Sequence, residues 1–361
     1  MIGSAMDNLM KRNQQIIDAL IKKADRVCPD SLALVGIYGS FCTGDIHKKS
    51  DLDLMVLIND DTGWRLATLF LQDDLQVGHD IYCTTWESLR QDACYPHPHI
   101  SKLMDAKIVY CADKKHLVEL ENLRKDVETI LSAPFSWADY RKAQQYLNEA
   151  QQIFARAMLF DDLTGIRIQA AELLAKVEDS LAMLNKRYFR YGVRRRLEEL
   201  QAMAYKPDSI VSLVTAVVEA DTIMQLKDSL TVLMRAIIGT FEAAQSQFTT
   251  EKQPVTPDAI RGTYEELFSN WRNKLYLAAA CNDKHLSLMS LYGIHEMLTE
   301  IGEEIDIGQY DVMGCYDPQD LTKTAQNCDE LLEEYLAQYH KAGIQANRYP
   351  DTDAFLKEYL K

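Results

Sequence analysis

The stretch YGSFCTGDIHKKSDLDLMVL, residues 38–57, most constrains how this chain can fold. Asp51 and Asp53 stand one residue apart in an apolar run typical of a buried β-strand. Alternate side chains of a strand share a face, so the two acids should point one way while Leu52 and Leu54 enter the core. Carboxylates removed from water are costly unless paired or bound to a metal. The fold must therefore bring a cation to this pair.

A third carboxylate, Asp80 in GHDIY, lies in the next predicted strand. Ligands that offer only oxygen atoms suit Mg²⁺ or Mn²⁺. Three acids on two neighbouring strands could hold two metal ions about 4 Å apart, the arrangement used for in-line phosphoryl displacement. We therefore expect a metal site formed by Asp51, Asp53 and Asp80.

Gly39 and Ser40 precede the acids and predict an anion site beside them. A glycine lets the backbone approach a phosphate closely, and the serine adds N–H and hydroxyl donors. If FCTGDIHKK begins as a short helix, its free amides would add to the site. One element would bind polyphosphate, and the other would bind the metal that polyphosphate needs.

The pattern along the chain predicts an α/β (α+β) domain over residues 1–115, with a small mixed sheet. Its strands are SLALVGIYGS, DLDLMVLI, GHDIYCTT and AKIVYCA, and DTGWRLATLFLQDDL is predicted to be a helix. Strand patterns then almost disappear. We expect helical bundles over residues 116–248 and 259–361, joined by a polar linker with two prolines at 246–258.

These motifs carry a family resemblance. Gly39-Ser40, Thr43-Gly44 and Ser50-Asp51-Leu52-Asp53-Leu54 resemble the signature of the nucleotidyltransferase superfamily with the DNA polymerase β-like fold. The resemblance covers roughly residues 30–115. It implies transfer of a nucleoside monophosphate, AMP from ATP or another NTP, to a hydroxyl, with release of pyrophosphate.

The resemblance also implies roles for single residues. Asp51, Asp53 and Asp80 would bind Mg²⁺ or Mn²⁺, and Gly39 and Ser40 would bind the β- and γ-phosphates. Thr43 stands where many members carry an arginine, which leaves one phosphate contact without its usual donor. Lys48 or Lys49 could replace that contact.

A helical domain after the catalytic domain resembles the antibiotic nucleotidyltransferases that modify aminoglycosides or lincosamides. Glu172 and Lys176, four residues apart on one helix face, are similar to a pair in the kanamycin-type enzymes. That similarity implies a general base at Glu172 and a phosphate contact at Lys176. The same spacing also fits a solvated face with an ordinary ion pair. Glu178, on the other side of the helix, is a rival base.

The segment NKRYFRYGVRRR, residues 185–196, concentrates six basic residues in an acidic chain. It is either a nucleotide contact near the cleft or a basic helix C-terminus that complements the helix dipole. The net charge of −15 excludes broad nucleic-acid binding and suits a cationic acceptor such as an aminoglycoside. The expected partners are an NTP and a hydroxyl-bearing small molecule.

Other features of the sequence predict a cytoplasmic protein. No run of about 18 apolar residues predicts a membrane span, and the eight scattered cysteines suggest reduced thiols. Two alternative functions remain: a nucleotidyltransferase that modifies a protein, as antitoxins of this superfamily do, and a non-catalytic nucleotide sensor. Residues 260–361 could cap the acceptor pocket, build a homodimer or bind a protein.

Overall fold

A computed structural model describes residues 2–248 and 252–361, with side chains described from residue 8 onward. The chain forms two compact units that divide near residue 250. In the described part of the chain, no helix combines the length and the apolar character that a membrane span requires.

The first unit opens with an α/β part. Its elements are α1 Ile2–Val27, β1 Leu32–Ile37, α2 Ser40–Thr43, β2 Leu54–Ile58, a 3₁₀ turn Asp61–Leu66, β3 Thr68–Gln72, β4 Val77–Ile81, β5 Cys83–Thr85, α3 Trp86–Cys94, α4 Ser101–Asp105 and β6 Lys107–Cys111. The main sheet has the order β5-β2-β1-β6. β1 is antiparallel to β2 and β6, whereas β2 and β5 are parallel. The predicted fold class, with a small mixed sheet at the N-terminal side, is confirmed.

Helices cover both faces of this sheet, so its central strands are apolar throughout. Val56 and Ile58 of β2 pack on the α1 side with Leu20. Met55 and Leu57, which alternate with them, pack on the opposite side with α3 and with the helix Lys114–Ser132, which is α5. Burial on both faces therefore explains why these strands lack the polar–apolar alternation of a half-exposed sheet.

The helix predicted for DTGWRLATLFLQDDL is wrong. Asp60 caps a 3₁₀ turn by accepting a hydrogen bond from the Thr62 backbone, and β3 then pairs with β4 in an antiparallel hairpin. Leu69 and Leu71 of β3 are 77% and 80% exposed. The predicted helix face therefore has no core to cover, and cross-strand hydrogen bonds decide the local structure.

Helices form the rest of the first unit. They are α5 Lys114–Ser132, α6 Trp137–Met158, α7 Leu163–Leu184, α8 Arg196–Gln201, α9 Ile210–Glu219 and α10 Ile223–Gln245, with 3₁₀ turns at Val193–Arg195 and Ser246–Phe248. A capping box between Ser136 and Asp139 starts α6. Leu173 and Leu181 of α7 are fully buried in one core with Leu230 and Phe241 of α10. The sequence-based domain boundary at residues 115 and 116, which falls at the start of α5, stays a prediction.

The second unit is helical and has a separate core. Its helices are α11 Pro257–Ile260, α12 Thr263–Leu267, a π-helical turn Phe268–Arg272, α13 Asn273–Cys281, α14 Lys284–Glu304, α15 Leu321–Lys341 and α16 Thr352–Tyr359, with a 3₁₀ turn at Met313–Cys315. Tyr335 and Tyr339 are fully buried in its core, where their hydroxyls contact Thr263. Part of the predicted linker, residues 249–251, lies outside the described residues.

Candidate functional site

The turn after β1 is shaped by Gly39. Its φ of +67° lies in the left-handed region that favours glycine. A Cβ atom at this position would overlap the Asp53 carboxylate. Only glycine can therefore bring the backbone this close to the acid. The short helix predicted to follow it is the single turn α2, and the Ser40 backbone N–H donates a hydrogen bond to the Asp53 carboxylate.

Asp51 and Asp53 lie in the extended segment that leads into β2, not within the strand itself. The alternation expected of a strand still holds, because Leu52 between them is buried and 3% exposed. Asp51 is exposed, whereas Asp53 is half-buried. Burial, and then the negative charge of Asp51, raises the pKa of Asp53 to about 6. The protein thus holds an acid where its ionised form lacks a compensating cation.

Tyr38 experiences the negative charge of all three predicted metal ligands. Burial, and then the negative charges of Asp53, Asp80 and Asp51 in that order, together raise the pKa of Tyr38 to about 12. All three carboxylates are therefore close enough to act on one phenol. Asp80 reaches this position from the β3–β4 hairpin rather than from the main sheet.

The donor set fits a hard divalent cation. Carboxylate oxygens are its preferred ligands, and a cation between Asp51 and Asp53 would remove the repulsion that raises the Asp53 pKa. The Ser40 Oγ nearby is buried and has no hydrogen-bond partner among the described residues. As the side chains stand, residues 2–248 and 252–361 contain no group of three or more carboxylate, imidazole or thiol ligands gathered for a metal. The first ligands of such a cation would be Asp51 and Asp53.

A cavity of about 250 Å³ opens beside these acids. One wall comes from the loop after β1 and the other from a segment that follows α7. Its lining residues are Gly39, Ser40, Thr43, Asp45, His47, Ser50, Asp51, Asp53, Gly192, Val193, Arg194 and Arg195. We call it the loop cavity. It brings together the predicted Gly39, Ser40, Thr43, Asp51 and Asp53.

A second cavity, of about 390 Å³, also borders Asp51. We call it the hairpin cavity because β3 and β4 supply most of its lining: Leu69, Phe70, Leu71, Gly78, His79 and Asp80, with Asp51. Asp51 borders both cavities. Asp51 is therefore shared by a cavity lined mainly by polar residues and a cavity lined mainly by the β3–β4 hairpin.

Arg12 of α1 supports the acid-bearing segment, a role that the sequence analysis did not recognise. It is 8% exposed and donates a 2.8 Å hydrogen bond to the Ser50 carbonyl. Burial lowers its pKa, and the charge of Asp51 opposes that shift. Its position gives a signal in the sequence, because an arginine stands at a core-facing position of α1 between Leu9 and Ile16.

Glu172 and Lys176 lie on α7 away from both cavities. Neither residue is among those that line the loop cavity or the hairpin cavity. Glu172 is exposed and pairs with Arg156 at 3.2 Å, and Lys176 pairs with Glu149 at 2.6 Å. Each side chain has a partner on α6 rather than the other member of the predicted pair. Neither residue lines the loop cavity beside the Gly39–Ser40 turn.

The C-terminal end of α7 carries a more buried acid pair. Burial raises the pKa of Glu178 to about 7, although the positive charge of Arg196 at 3.6 Å opposes that shift. Asp179 pairs with His99 at 2.9 Å. Phe189 donates a backbone hydrogen bond to the Pro98 carbonyl at 2.8 Å. This end of α7 is therefore tied to the loop before α4.

The basic segment 185–196 does not form a helix C-terminus. α7 ends at Leu184, and its last turn contains no basic residue. The chain then leaves the helix, and Gly192–Arg195 forms one wall of the loop cavity. Of the two interpretations of this segment, the interaction with the helix dipole is wrong, since the arginines lie beyond the helix.

Residues 19–110 match the family model described as a nucleotidyltransferase domain. They belong to the nucleotidyltransferase superfamily. The matched range contains the glycine turn, all three acids and the two sheets, so the geometry and the family assignment concern the same residues. The predicted superfamily is confirmed, whereas the kanamycin-type resemblance is not.

A curated relative of this chain is a bifunctional uridylyltransferase/uridylyl-removing enzyme from Nitrosococcus oceani. It is 24% identical over 201 residues, which are 52% of this chain and 21% of that enzyme. The chain thus matches only about a fifth of the relative's length. A solved nucleotidyltransferase-like protein from Exiguobacterium sibiricum is similar over 72% of this chain and 91% of its own, with 11% identity. Its TM-score of 0.31 is too low to establish a shared fold over that length.

Proposed function

We propose that this chain is a metal-dependent nucleotidyltransferase that transfers a nucleoside monophosphate, AMP from ATP, to a hydroxyl of a small-molecule acceptor and releases pyrophosphate. One observation carries the proposal: Asp51 and Asp53 line one cavity with Gly39 and Ser40, and Asp51 and Asp80 line a second one. The nucleotidyltransferase domain model over residues 19–110 supports the same chemistry.

The two cavities suggest where the substrates bind. The loop cavity offers the Gly39 backbone and the Ser40 hydroxyl, donors suited to a triphosphate. The hairpin cavity is lined by Asp51 and Asp80, so it would admit the acceptor next to the same acid. In-line displacement would then need the acceptor hydroxyl and the leaving pyrophosphate on opposite sides of the α-phosphorus.

The residues of the site would divide the reaction between them. The acceptor oxygen would bond to the α-phosphorus while the bond to the β-phosphate oxygen breaks, and Asp80 would take the acceptor proton. Asp51 and Asp53 would hold a divalent cation, which supplies charge neutralisation on the phosphates when it is bound. Glu172 and Lys176 are left without a role, because they do not line either cavity.

The nucleotide and the acceptor both need a direct test. AMP transfer to an aminoglycoside or lincosamide is the prediction from the resemblance. The relative from Nitrosococcus oceani is described as a uridylyltransferase, so UTP is the second nucleotide to examine.

The experiment measures pyrophosphate release from each of four NTPs with Mg²⁺, across a panel of aminoglycosides, lincosamides and polyols. An Asp51→Asn/Asp53→Asn variant provides the inactive control, and Asp161→Asn, a fully exposed acid, the matched active one. Release that needs an acceptor and is lost only in the first variant supports the proposal. If the wild-type protein binds no NTP in the presence of Mg²⁺, the proposal is wrong. NTP binding without release for any acceptor would favour the sensor alternative.

A further inference from the structure

The loop cavity is short of positive charge on its loop side. The loop wall carries Asp45, Asp51 and Asp53, and its one basic side chain is His47. Lys48 and Lys49 are exposed and are not among the lining residues. The other wall contributes Arg194 and Arg195. Any polyanion that enters this cavity therefore meets its arginines on the segment after α7.

Arg195 is held in place by three neighbours. Its guanidinium lies over the Tyr191 ring at 3.8 Å from the centroid, and its Nε donates to Glu198 at 2.8 Å. Its Nη1 lies 3.6 Å from Asp45 Oδ2, which is an ion-pair distance but too long for a strong hydrogen bond. An arginine has five N–H donors. The outer guanidinium nitrogens thus remain available to a ligand.

Thr43 takes part in the same arrangement. Its hydroxyl donates to Asp45 Oδ2 at 2.7 Å, the same oxygen that faces Arg195. The superfamily resemblance predicts an arginine at position 43, where this chain has a threonine. The Thr43 hydroxyl orients Asp45, and Asp45 in turn faces Arg195. Charge missing from the loop is supplied by a residue about 150 positions later in the chain.

We infer that Arg195 binds the triphosphate of the nucleotide, with Arg194 contributing at the rim, so that the segment after α7 completes the nucleotide site. This inference rests on the proposed function. A guanidinium is suited to phosphate because its planar donors engage two oxygens at once. The buried Ser40 Oγ without a partner lines the same cavity, and it would take a second contact with the same ligand.

The competing explanation is that Arg195 has a purely structural role and only holds Asp45 in place through their ion pair. Asp45→Asn removes this ion pair but keeps the arginine. Arg190→Gln is the matched control, since Arg190 belongs to the same basic segment, pairs with Asp105 at 3.3 Å and does not line the loop cavity. Arg195→Lys keeps a positive charge near Asp45 but loses the planar fork.

The test measures dissociation constants for Mg·ATP, Mg·UTP and inorganic tripolyphosphate by calorimetry in the full chain. We expect Arg195→Gln to weaken binding of the tighter nucleotide and of tripolyphosphate by about tenfold or more, because it removes hydrogen bonds to a charged group. Arg195→Lys should lose less, and Arg190→Gln should stay within about twofold. Asp45→Asn should bind at least as tightly as the wild-type protein, because it removes a negative charge from the cavity. If Arg195→Gln does not fold, the comparison of Arg195→Lys with the wild-type protein tests the inference instead.

Two outcomes overturn the inference in different ways. If Arg195→Gln binds as tightly as the wild-type protein, or if Asp45→Asn weakens binding as much as Arg195→Gln does, then Arg195 only holds Asp45 in place. The proposed function stands in that case. A wild-type protein that binds no NTP removes both the inference and the proposed function.

Discussion

The loop of residues 38–53 and the outer face of α7 both carry predicted site residues, but they handle charge in opposite ways. On α7, Glu172 and Lys176 are exposed or half-exposed, and each has an oppositely charged partner on α6. In the loop, Asp53 is half-buried next to a second acid, and its pKa is raised to about 6. The α7 face is an ordinary ion-paired surface, whereas the loop holds charge that the protein itself leaves uncompensated.

This difference separates two patterns that look equally suggestive in the sequence. Exposed pairs contribute little to stability and need no function to explain them. A carboxylate kept near a like charge costs stability, and such sites are found where a ligand supplies the missing charge. The comparison therefore assigns function to the loop and leaves the α7 face as surface, and the following predictions test that division.

The largest effect is expected at the acids. Asp51→Asn/Asp53→Asn should lower the rate of pyrophosphate release by about a thousandfold or more, because both carboxylates that would hold the cation become neutral amides. Steady-state kinetics at saturating Mg²⁺ measures this loss. Asp161→Asn should retain the wild-type rate, and a double variant that kept most of its activity would remove the loop from the mechanism.

Gly39→Ala should lower the same rate by about a hundredfold, since the added Cβ overlaps the Asp53 carboxylate and displaces it. Gly44→Ala is the matched control. Gly44 also has a positive φ, of +80°, but a Cβ there meets no atom within 4 Å. If the two variants lose activity equally, backbone strain rather than the close approach to Asp53 explains the glycine.

Asp53→Asn should stabilise the metal-free protein even as it removes activity. The folded-state pKa of about 6 lies above the ordinary value of 3.8, so the stability that the protonated acid gives is present at low pH and lost as pH rises through 6. We expect the variant to gain roughly 1 kcal/mol at pH 7.5, after allowance for solvent screening, or about 2–4 °C in Tm.

Thermal unfolding at pH 4.5 and pH 7.5, without divalent ions, measures this effect. The difference in Tm between the variant and the wild-type protein should be small at pH 4.5 and larger at pH 7.5. Mg²⁺ binding should likewise weaken as pH falls through 6, because a proton then competes for Asp53. A variant that is less stable than the wild-type protein at pH 7.5 would contradict the description of Asp53 as uncompensated.

The smallest effect is expected on α7. Glu172→Gln and Lys176→Gln should each change the rate and the KM by less than about twofold, since their partners are Arg156 and Glu149 and both pairs are solvent-accessible. The same kinetic assay decides the matter. A loss of a hundredfold in Glu172→Gln would restore it as the general base and would undo the comparison between the two regions.

Local chemistry made the loop predictable from the sequence. Gly39, Ser40 and the Asp51–Asp53 pair lie within 15 residues, and they flank the neighbouring ends of the paired strands β1 and β2. The central strands were also predictable, because burial on both faces leaves continuous apolar runs such as LMVLI of β2.

Contacts between distant segments were not predictable in this way. Arg195 reaches the loop cavity only because α7 ends at Leu184 and the following chain turns back, and no local pattern records that path. The β3–β4 hairpin was missed because Leu69 and Leu71 of TLFLQ are apolar but exposed. A prediction from hydrophobic periodicity assumes that such residues face a core. The spacing of Glu172 and Lys176 correctly placed them on one helix, but spacing cannot tell which surface that helix presents to the site.

The most direct test of the account is to measure Mn²⁺ binding by electron paramagnetic resonance in the presence of a non-hydrolysable ATP analogue. It needs no knowledge of the acceptor. The account predicts that the wild-type protein binds Mn²⁺ with the nucleotide and that Asp51→Asn/Asp53→Asn does not, while Asp161→Asn binds as the wild type does. Equal binding by the wild-type protein and the double variant, or none by either, would contradict the claim that the 38–53 loop is a metal–nucleotide site.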